Sequence, residues 1–432
     1  MDEVKPESKE PRNACSACGA SPVNHTVAFF TQSIEAWLDD RLLPLRSSAM
    51  YRRLDLLTDR WLESLLPPLV SALHALRIVR FSRDQERANT YRSQVIWEEA
   101  SRRGIVMEQV VFLGATSELY RARIGTKTRY FQSLPIPSEL RVGMYPGLDD
   151  KYLFKALLHK NGIASPRAIR VSTRKEAEKA YQELQKPLVV KPRIGTRARH
   201  TTTNIFMLED LFKAFDRAKV LCREGMVEEY LEGGVCRATV VNGVVVGFLQ
   251  MLPARVTGDG IHSISELVDE KNRTRPERVK EVVIDAEHRE YLGRLGYALD
   301  SVLEKGKTIA LSRRTGRFEG GETRELPQEI HPNLRRYIER AAHVLQAIVV
   351  GFDLIIPDPT ADPDTQRWGI LEGNSLPFID LHYLPLYGHP SNVAAAVWDL
   401  WPQARLLKGS KIVHEEQVLS MGADLVRQSD NV

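Results

Sequence analysis

Apolar residues recur at helical spacing from Val27 to about Leu73, with Phe29, Phe30, Ile34, Trp37 and Leu38 in one run and Leu54, Leu57, Trp61 and Leu65 in a second. The spacing predicts two packed helices. The second should end or kink at Pro67-Pro68, because proline lacks an amide hydrogen and crowds the preceding turn. A further helix is predicted from Asp84 to Gly104, then a strand over Ile105 to Gly114. Asp149-Asp150-Lys151 opens another helix with carboxylates at its positive end, Gly162 closes it, and Lys151 and Lys155 fall on one face. A strand over Arg167 to Val171, a helix over about Thr173 to Leu184 and an apolar strand ending in Lys191 follow. Asn242-Gly243 lies between two runs of valine, and both residues tolerate the positive φ of a type I′ turn, so a hairpin is predicted there. A second hairpin joins Val349 to Pro357 with Arg367 to Asn374, after a helix that opens at about Pro332.

With 432 residues, 43% hydrophobic and 27% charged, the chain can bury cores in two or three units. A net charge of +4, evenly spread, argues against a nucleic-acid partner or a polybasic membrane anchor. No apolar run approaches the roughly 18 residues of a membrane span, and the first ten residues lack the apolar core of a secretory signal. The expectation is a cytoplasmic protein with no membrane partner. Four cysteines cannot form a disulfide scaffold. Cys15-Ser-Ala-Cys18 is a C-x-x-C motif without a second pair; His25 is the only close additional candidate and zinc normally needs four ligands, so the pair reads as two ordinary thiols, with metal binding or redox work as the alternative.

Chemistry concentrates late in the chain. In Gly369-Ile-Leu-Glu372-Gly-Asn374, side chains alternate faces, so Glu372 and Asn374 point the same way, and Asp353 interrupts the apolar run of the partner strand. A carboxylate among bulky aliphatics is costly unless paired or metal-bound, and two acids with an amide suit Mg²⁺ whose remaining ligands are nucleotide phosphates. Lys191 ends an apolar strand ahead of a loop from Arg193 to Thr203, a place where an ammonium and backbone amides can meet phosphate.

The order Lys151, Lys191, Glu228-Glu229-Tyr230, Asp353, Glu372-x-Asn374 resembles the ATP-grasp superfamily of carboxylate-amine ligases over roughly residues 145 to 405. The segment Ala254-Arg-Val-Thr-Gly-Asp-Gly260 through Glu266-Leu267, followed by Lys271-Asn272, is similar to one shared by the ligase domain of cyanophycin synthetase and the bifunctional glutathione synthetases. The resemblance implies an α+β fold: an ATP-grasp pair of α/β lobes with antiparallel sheets clasping the nucleotide, preceded by a helix-rich α/β N-terminal domain. The expected division is a flexible tail over 1–25, an N-terminal domain over 26–145, a small lobe over 146–235, a large lobe over 236–407 and a C-terminal tail over 408–432.

The resemblance also implies ATP and Mg²⁺ as cofactors, a small-molecule or peptide carboxylate and an amine as substrates, amide-bond formation through an acyl phosphate, and a homodimer among its partner states. Lys151 and Lys191 would meet the α- and β-phosphates, and backbone groups of Glu229 and Tyr230 the adenine edge; Glu228 either binds the adenine amino group through its carbonyl or faces solvent. Arg237 would face the substrate, Arg313 or Arg314 would supply a second arginine, and Asp353, Glu372 and Asn374 would hold the metal. Pro377 and His382 fit the segment that follows the triad.

Some positions depart from the family pattern. The loop after Lys191 keeps only Gly195 and adds Arg193, Arg197 and Arg199, while the ribose-binding carboxylate falls on Val235, leaving Glu232 as the nearest substitute. A degenerate nucleotide- or peptide-binding module and a phosphotransferase are the alternative readings. The surplus arginines suit an anionic substrate or are simply solvated.

Overall fold

A computed structural model describes residues 15–18, 23–195, 199–277 and 279–404. The expected C-terminal tail, most of the N-terminal one and Arg197 lie outside the described residues. The chain forms two compact units, 1–48 with 146–231 and 49–145 with 232–432. They interleave along the sequence, whereas the expected division ran sequentially.

The architecture is α+β and its sheets are antiparallel throughout. Strands β1 (Val79–Ser82), β2 (Met107–Phe112), β3 (Ala115–Ile124) and β4 (Lys127–Gln132) form one sheet in sequential order. A second sheet, in the first unit, holds β5 (Ala168–Val171), β6 (Leu188–Pro192), β7 (Thr202–Ile205) and β8 (Gly225–Glu229) in the order β5-β8-β6-β7. The third contains β9 (Gly234–Val241), β10 (Val244–Thr257), β11 (Thr308–Thr315), β12 (Glu322–Glu325), β13 (Val349–Ile356) and β14 (Gly369–Asn374). Its order is β11-β10-β9-β13-β14, with β12 also paired to β10.

Local chemistry explains these elements. Asn242 and Gly243 have φ of 50° and 77°, the positive values a type I′ turn requires, and the turn sets Val241 opposite Val244. Helix Lys151–Lys160 is capped by the Asp150 carboxylate, which accepts from the amides of Tyr152 (2.8 Å) and Leu153 (3.1 Å). Helix Ile264–Thr274 starts with a capping box in which Ser263 and Glu266 satisfy each other's backbone amides. The first unit buries Leu188, Val190, Val227, Leu211 and Phe215 between its sheet and the helices Arg174–Glu183 and Leu208–Lys219. In the second unit, Ile96, Tyr120, Phe131 and Trp398 anchor one core, and Ala254, Ile264, Leu292 and Leu311 another.

The helix Ala49–Ala75 does not end at Pro67 and Pro68, since two missing amide hydrogens remove only two rungs of a 27-residue ladder. The expectation that both apolar runs are packed fails. Trp37 (57%) and Trp61 (63%) are exposed, as are Phe30, Ile34, Leu54, Leu57 and Leu65. Apolar spacing defines a face; it does not supply a surface to cover it. Among the described residues, no helix is long and apolar enough to cross a membrane.

Glu98, in the helix Tyr91–Arg102, has a buried oxygen without a hydrogen-bond partner among the described residues, and burial pushes its carboxyl up from 4.5 to about 7. A folded-state value above the unfolded one gives stability that is complete below about pH 4.5 and is lost as pH rises through about 7. Glu98→Gln should therefore change little near pH 4 and stabilise by about 1–3 kcal/mol near pH 8.5, measured by urea titration at both values.

Candidate functional site

The first unit gathers Lys151, Lys155, Lys191 and Glu228. Strand β8 lies beside β6 with Lys191 opposite Met226, and the Glu228 side chain turns inward. Its Oε2 lies 3.0 Å from the Lys191 ammonium and 3.6 Å from that of Lys155, and all three groups are buried. Burial pushes the Glu228 carboxyl up, but Lys155 and Lys191 outweigh it and hold the group below the usual carboxylate range. Glu228 therefore does not face solvent. Its Oε1 has no hydrogen-bond partner among the described residues.

Lys151 is buried at the start of its helix and donates to the Gly195 carbonyl. Glu229 and Tyr230 follow directly on β8, and their amides donate to the carbonyls of Arg167 and Pro187, both at 3.0 Å. The Glu229 carboxylate accepts from the Gln185 amide at 3.1 Å. These N–H groups are engaged within the unit, so an adenine edge would have to rely on other backbone atoms of the segment.

Arg193 departs from the sequence reading. It is neither a solvated arginine nor one open to an anionic substrate, because its side chain is 0% exposed and surrounded by three carboxylates. Asp150 lies at 2.6 Å, Glu224 at 2.6 Å and Asp40 at 2.8 Å. Planar donors on three sides suit a guanidinium better than an ammonium. The arrangement fixes Asp150, and through it the cap from which Lys151 projects.

In the second unit, strand register builds the other cluster. Asp353 is opposite Arg237 on β9 and opposite Glu372 on β14, and Asn374 is opposite Gly351. The Arg237 guanidinium holds both Asp353 oxygens, at 2.8 Å and 3.0 Å. Glu372 and Asn374 lie within hydrogen-bonding reach of Asp353. The Asn374 amide also donates, at 3.4 Å, to the Gly351 carbonyl. Burial raises the Asp353 pKa; Arg237 opposes this and Glu372 adds to it. The three oxygen-bearing side chains converge as the alternation of strand faces predicts. A donor set of two carboxylates and an amide fits a hard divalent cation such as Mg²⁺.

Arg237 is buried, and its Nη1 finds no acceptor among the described residues. Gly351 makes room for it, since a Cβ there would come within 2.6 Å of that nitrogen and 2.7 Å of the Pro377 Cβ. His382 is fully buried between Glu325 (2.9 Å) and Thr239 (2.8 Å), a structural position. Sequence reasoning missed Gly351, although a glycine two residues before an inward-facing acid is the available signal.

The two remaining arginines are not brought to this cluster. They lie on β11, which β10 and β9 separate from β13. Arg314 is held by Asp285 (2.7 Å), Glu287 (2.5 Å) and Glu319 (3.4 Å). Arg313 is exposed over the Tyr291 ring, 5.3 Å from its centroid. Glu232 is exposed. Near the family-like segment, Lys271, Arg275, Lys280, Glu322, Gly320 and Tyr387 help to line a cavity of about 250 Å³, in which Lys271 lies 3.7 Å from Glu322.

No family model matches the chain. It is 33% identical over 261 residues to a cyanophycin synthetase of Synechocystis sp., covering 58% of this chain and 30% of the relative. It is 28% identical over 317 residues to the glutathione biosynthesis bifunctional protein GshAB of Listeria innocua, covering 71% of this chain and 40% of the relative. A bifunctional glutathione synthetase structure from Pasteurella multocida aligns at 24% identity and a TM-score of 0.49, over 72% of this chain and 44% of that one. The chain thus spans 30 to 40% of the length of these curated relatives. They bear out the resemblance to ATP-grasp carboxylate-amine ligases.

Two substitutions check the geometry. Glu228→Gln should destabilise the fold by about 3–5 kcal/mol at neutral pH, because it removes the anionic partner of two buried ammonium groups. Gly351→Ala should cost about 1–3 kcal/mol by displacing Arg237. Urea unfolding midpoints measure both.

Proposed function

We propose, from its sequence relationship to cyanophycin synthetases and GshAB proteins, that the chain is an ADP-forming ATP-grasp ligase joining a carboxylate to an amine, with an amino acid or peptide as substrate. The observation that carries this reading is the convergence of Asp353, Glu372 and Asn374, with Arg237 bound through both Asp353 oxygens.

In this reading, Lys151 and Lys191 bind the α- and β-phosphates of ATP. An ammonium has three donors and no acceptor, so Lys191 can keep Glu228 and still donate to phosphate oxygen. Segment Glu229-Tyr230 meets the adenine edge and Glu232 the ribose. Asp353, Glu372 and Asn374 hold Mg²⁺, which would neutralise charge on the transferring phosphoryl group. A substrate carboxylate oxygen attacks the γ-phosphorus and ADP leaves; the amine nitrogen then attacks the carbonyl carbon, loses a proton, and phosphate leaves.

Arg237 directs Nη1 at the substrate carboxylate, and its grip on Asp353 fixes the direction of that donor. Arg313 or Arg314 of β11 would supply the second arginine only if substrate reaches from the cluster across β9 and β10, and Arg314 already holds three carboxylates. An acidic amino acid or peptide complements these arginines and Arg275 and Lys280 in the nearby cavity, where Glu322 faces Lys271.

An ATP-consumption screen over amino-acid and dipeptide pairs tests the reading: ADP should appear only when a carboxylate and an amine are both present, with amide product in equal amount. Glu372→Ala should reduce turnover by about 1,000-fold or more while leaving the unfolding midpoint near that of the unsubstituted chain. Product formation retained in that variant, or ADP release independent of the amine, would overturn it.

A further inference from the structure

Cys15, Cys18, His25 and His200 come together in the first unit, although 175 positions separate His25 from His200 in the numbering. One ligand atom from each lies within 4.8 Å of all the others. Cys18 Sγ is 3.2 Å from His25 Nε2 and 3.5 Å from His200 Nε2, while Cys15 Sγ is 3.7 Å from His200 Nε2. With Zn–S near 2.3 Å and Zn–N near 2.0–2.1 Å, the sulfur-to-nitrogen edge of a tetrahedron is roughly 3.5 Å. The observed separations bracket that edge. We propose that these four side chains form a structural zinc site.

The surroundings are built for it. The turn Ser16–Cys18 folds the two thiols toward one side, with the Cys18 amide donating to the Cys15 carbonyl at 2.9 Å. Asn24 caps the helix His25–Arg46 and so fixes His25 at its first position. His200 takes a left-handed backbone, φ 52°, and its amide donates to the Ala17 carbonyl at 2.8 Å, pinning the loop between β6 and β7 to the cysteine turn.

The tautomer also follows. His200 Nδ1 lies 2.7 Å from the Arg217 carbonyl, an acceptor with no hydrogen to give, so Nδ1 carries the proton and Nε2 presents its lone pair. A backbone carbonyl behind the distal nitrogen is the usual outer support of a metal-bound imidazole. Cys18 and His200 are buried, and both cysteines are free thiols. Four protein ligands leave no open position, which makes the site structural rather than catalytic. Zinc would tie the turn ahead of the first helix to the loop that follows Lys191, whose Gly195 carbonyl accepts from Lys151. A C-x-x-C with one nearby histidine lacks its fourth ligand in sequence; the fold supplies it.

The test uses the full-length chain, purified under reducing conditions, gel-filtered, and assayed for metal by mass spectrometry. About one zinc per chain should remain, in line with a closed four-ligand site. Cys18→Ser and His200→Ala should retain at least about tenfold less. Cys222→Ala, which alters a buried cysteine outside the cluster, should retain it in full. Because a zinc-free variant could misfold, the unsubstituted chain is also stripped and reloaded with Co²⁺. A tetrahedral ligand-field spectrum with a thiolate-to-cobalt charge-transfer band is expected, and His200→Cys should keep the metal and strengthen that band. Zinc lost on gel filtration from the unsubstituted chain, a six-coordinate cobalt spectrum, or undiminished zinc in His200→Ala would overturn the proposal. None of these readouts involves ATP, so failure here is distinguishable from failure of the ligase assignment.

Discussion

Two buried clusters, one in each unit, hold the chemistry-bearing side chains, and their charges are arranged in opposite senses. In the first, one carboxylate, Glu228, faces the ammonium groups of Lys155 and Lys191. In the second, one guanidinium, Arg237, faces Asp353, with Glu372 close beyond it. Removing ionised groups from water costs several kcal/mol each, and a partner of opposite charge offsets that only when geometry and stoichiometry match. Ammonium groups gathered about one acid suit phosphate; carboxylates gathered about one guanidinium suit a divalent cation. These opposed arrangements are the physical ground for the proposed nucleotide chemistry, more than any single residue identity.

Strand pairing makes the second arrangement possible. With β13 between β9 and β14, Asp353 has a cross-strand neighbour on both sides, so Arg237 and Glu372 approach it from opposite directions. The register shift after Asp353 brings Leu354 opposite Ile370 rather than Leu371, and the buried aliphatic chains pack together there. The acid can thus sit in an apolar strand without disturbing the core on either side.

Much of this was legible in the sequence because it is local. The Asn242-Gly243 turn, the Asp150 cap and the shared face of Glu372 and Asn374 follow from positive φ, capping and two-residue periodicity. The features that were not legible depend on distant partners. Arg193 reads as a loop arginine until Asp40, Asp150 and Glu224 are placed around it, and Glu228 reads as an exposed acid until β6 lies beside β8. His200 gives no sign in sequence that it joins Cys15, Cys18 and His25. The exposed tryptophans of the first two helices show the converse limit, since a periodic apolar face states a preference without identifying what satisfies it.

The Arg193 cluster also bears on how the protein tolerates trimming. Asp40 belongs to the helix His25–Arg46, far upstream of the strand that carries the arginine, yet it contacts two nitrogens of the same guanidinium. A shortened chain starting downstream of that helix would strand a cation in a low-dielectric interior with fewer anions to screen it. The leading helix is thus an electrostatic plug for the unit that holds Lys151 and Lys191, not an appendage, and amino-terminal deletions would be felt far from the cut.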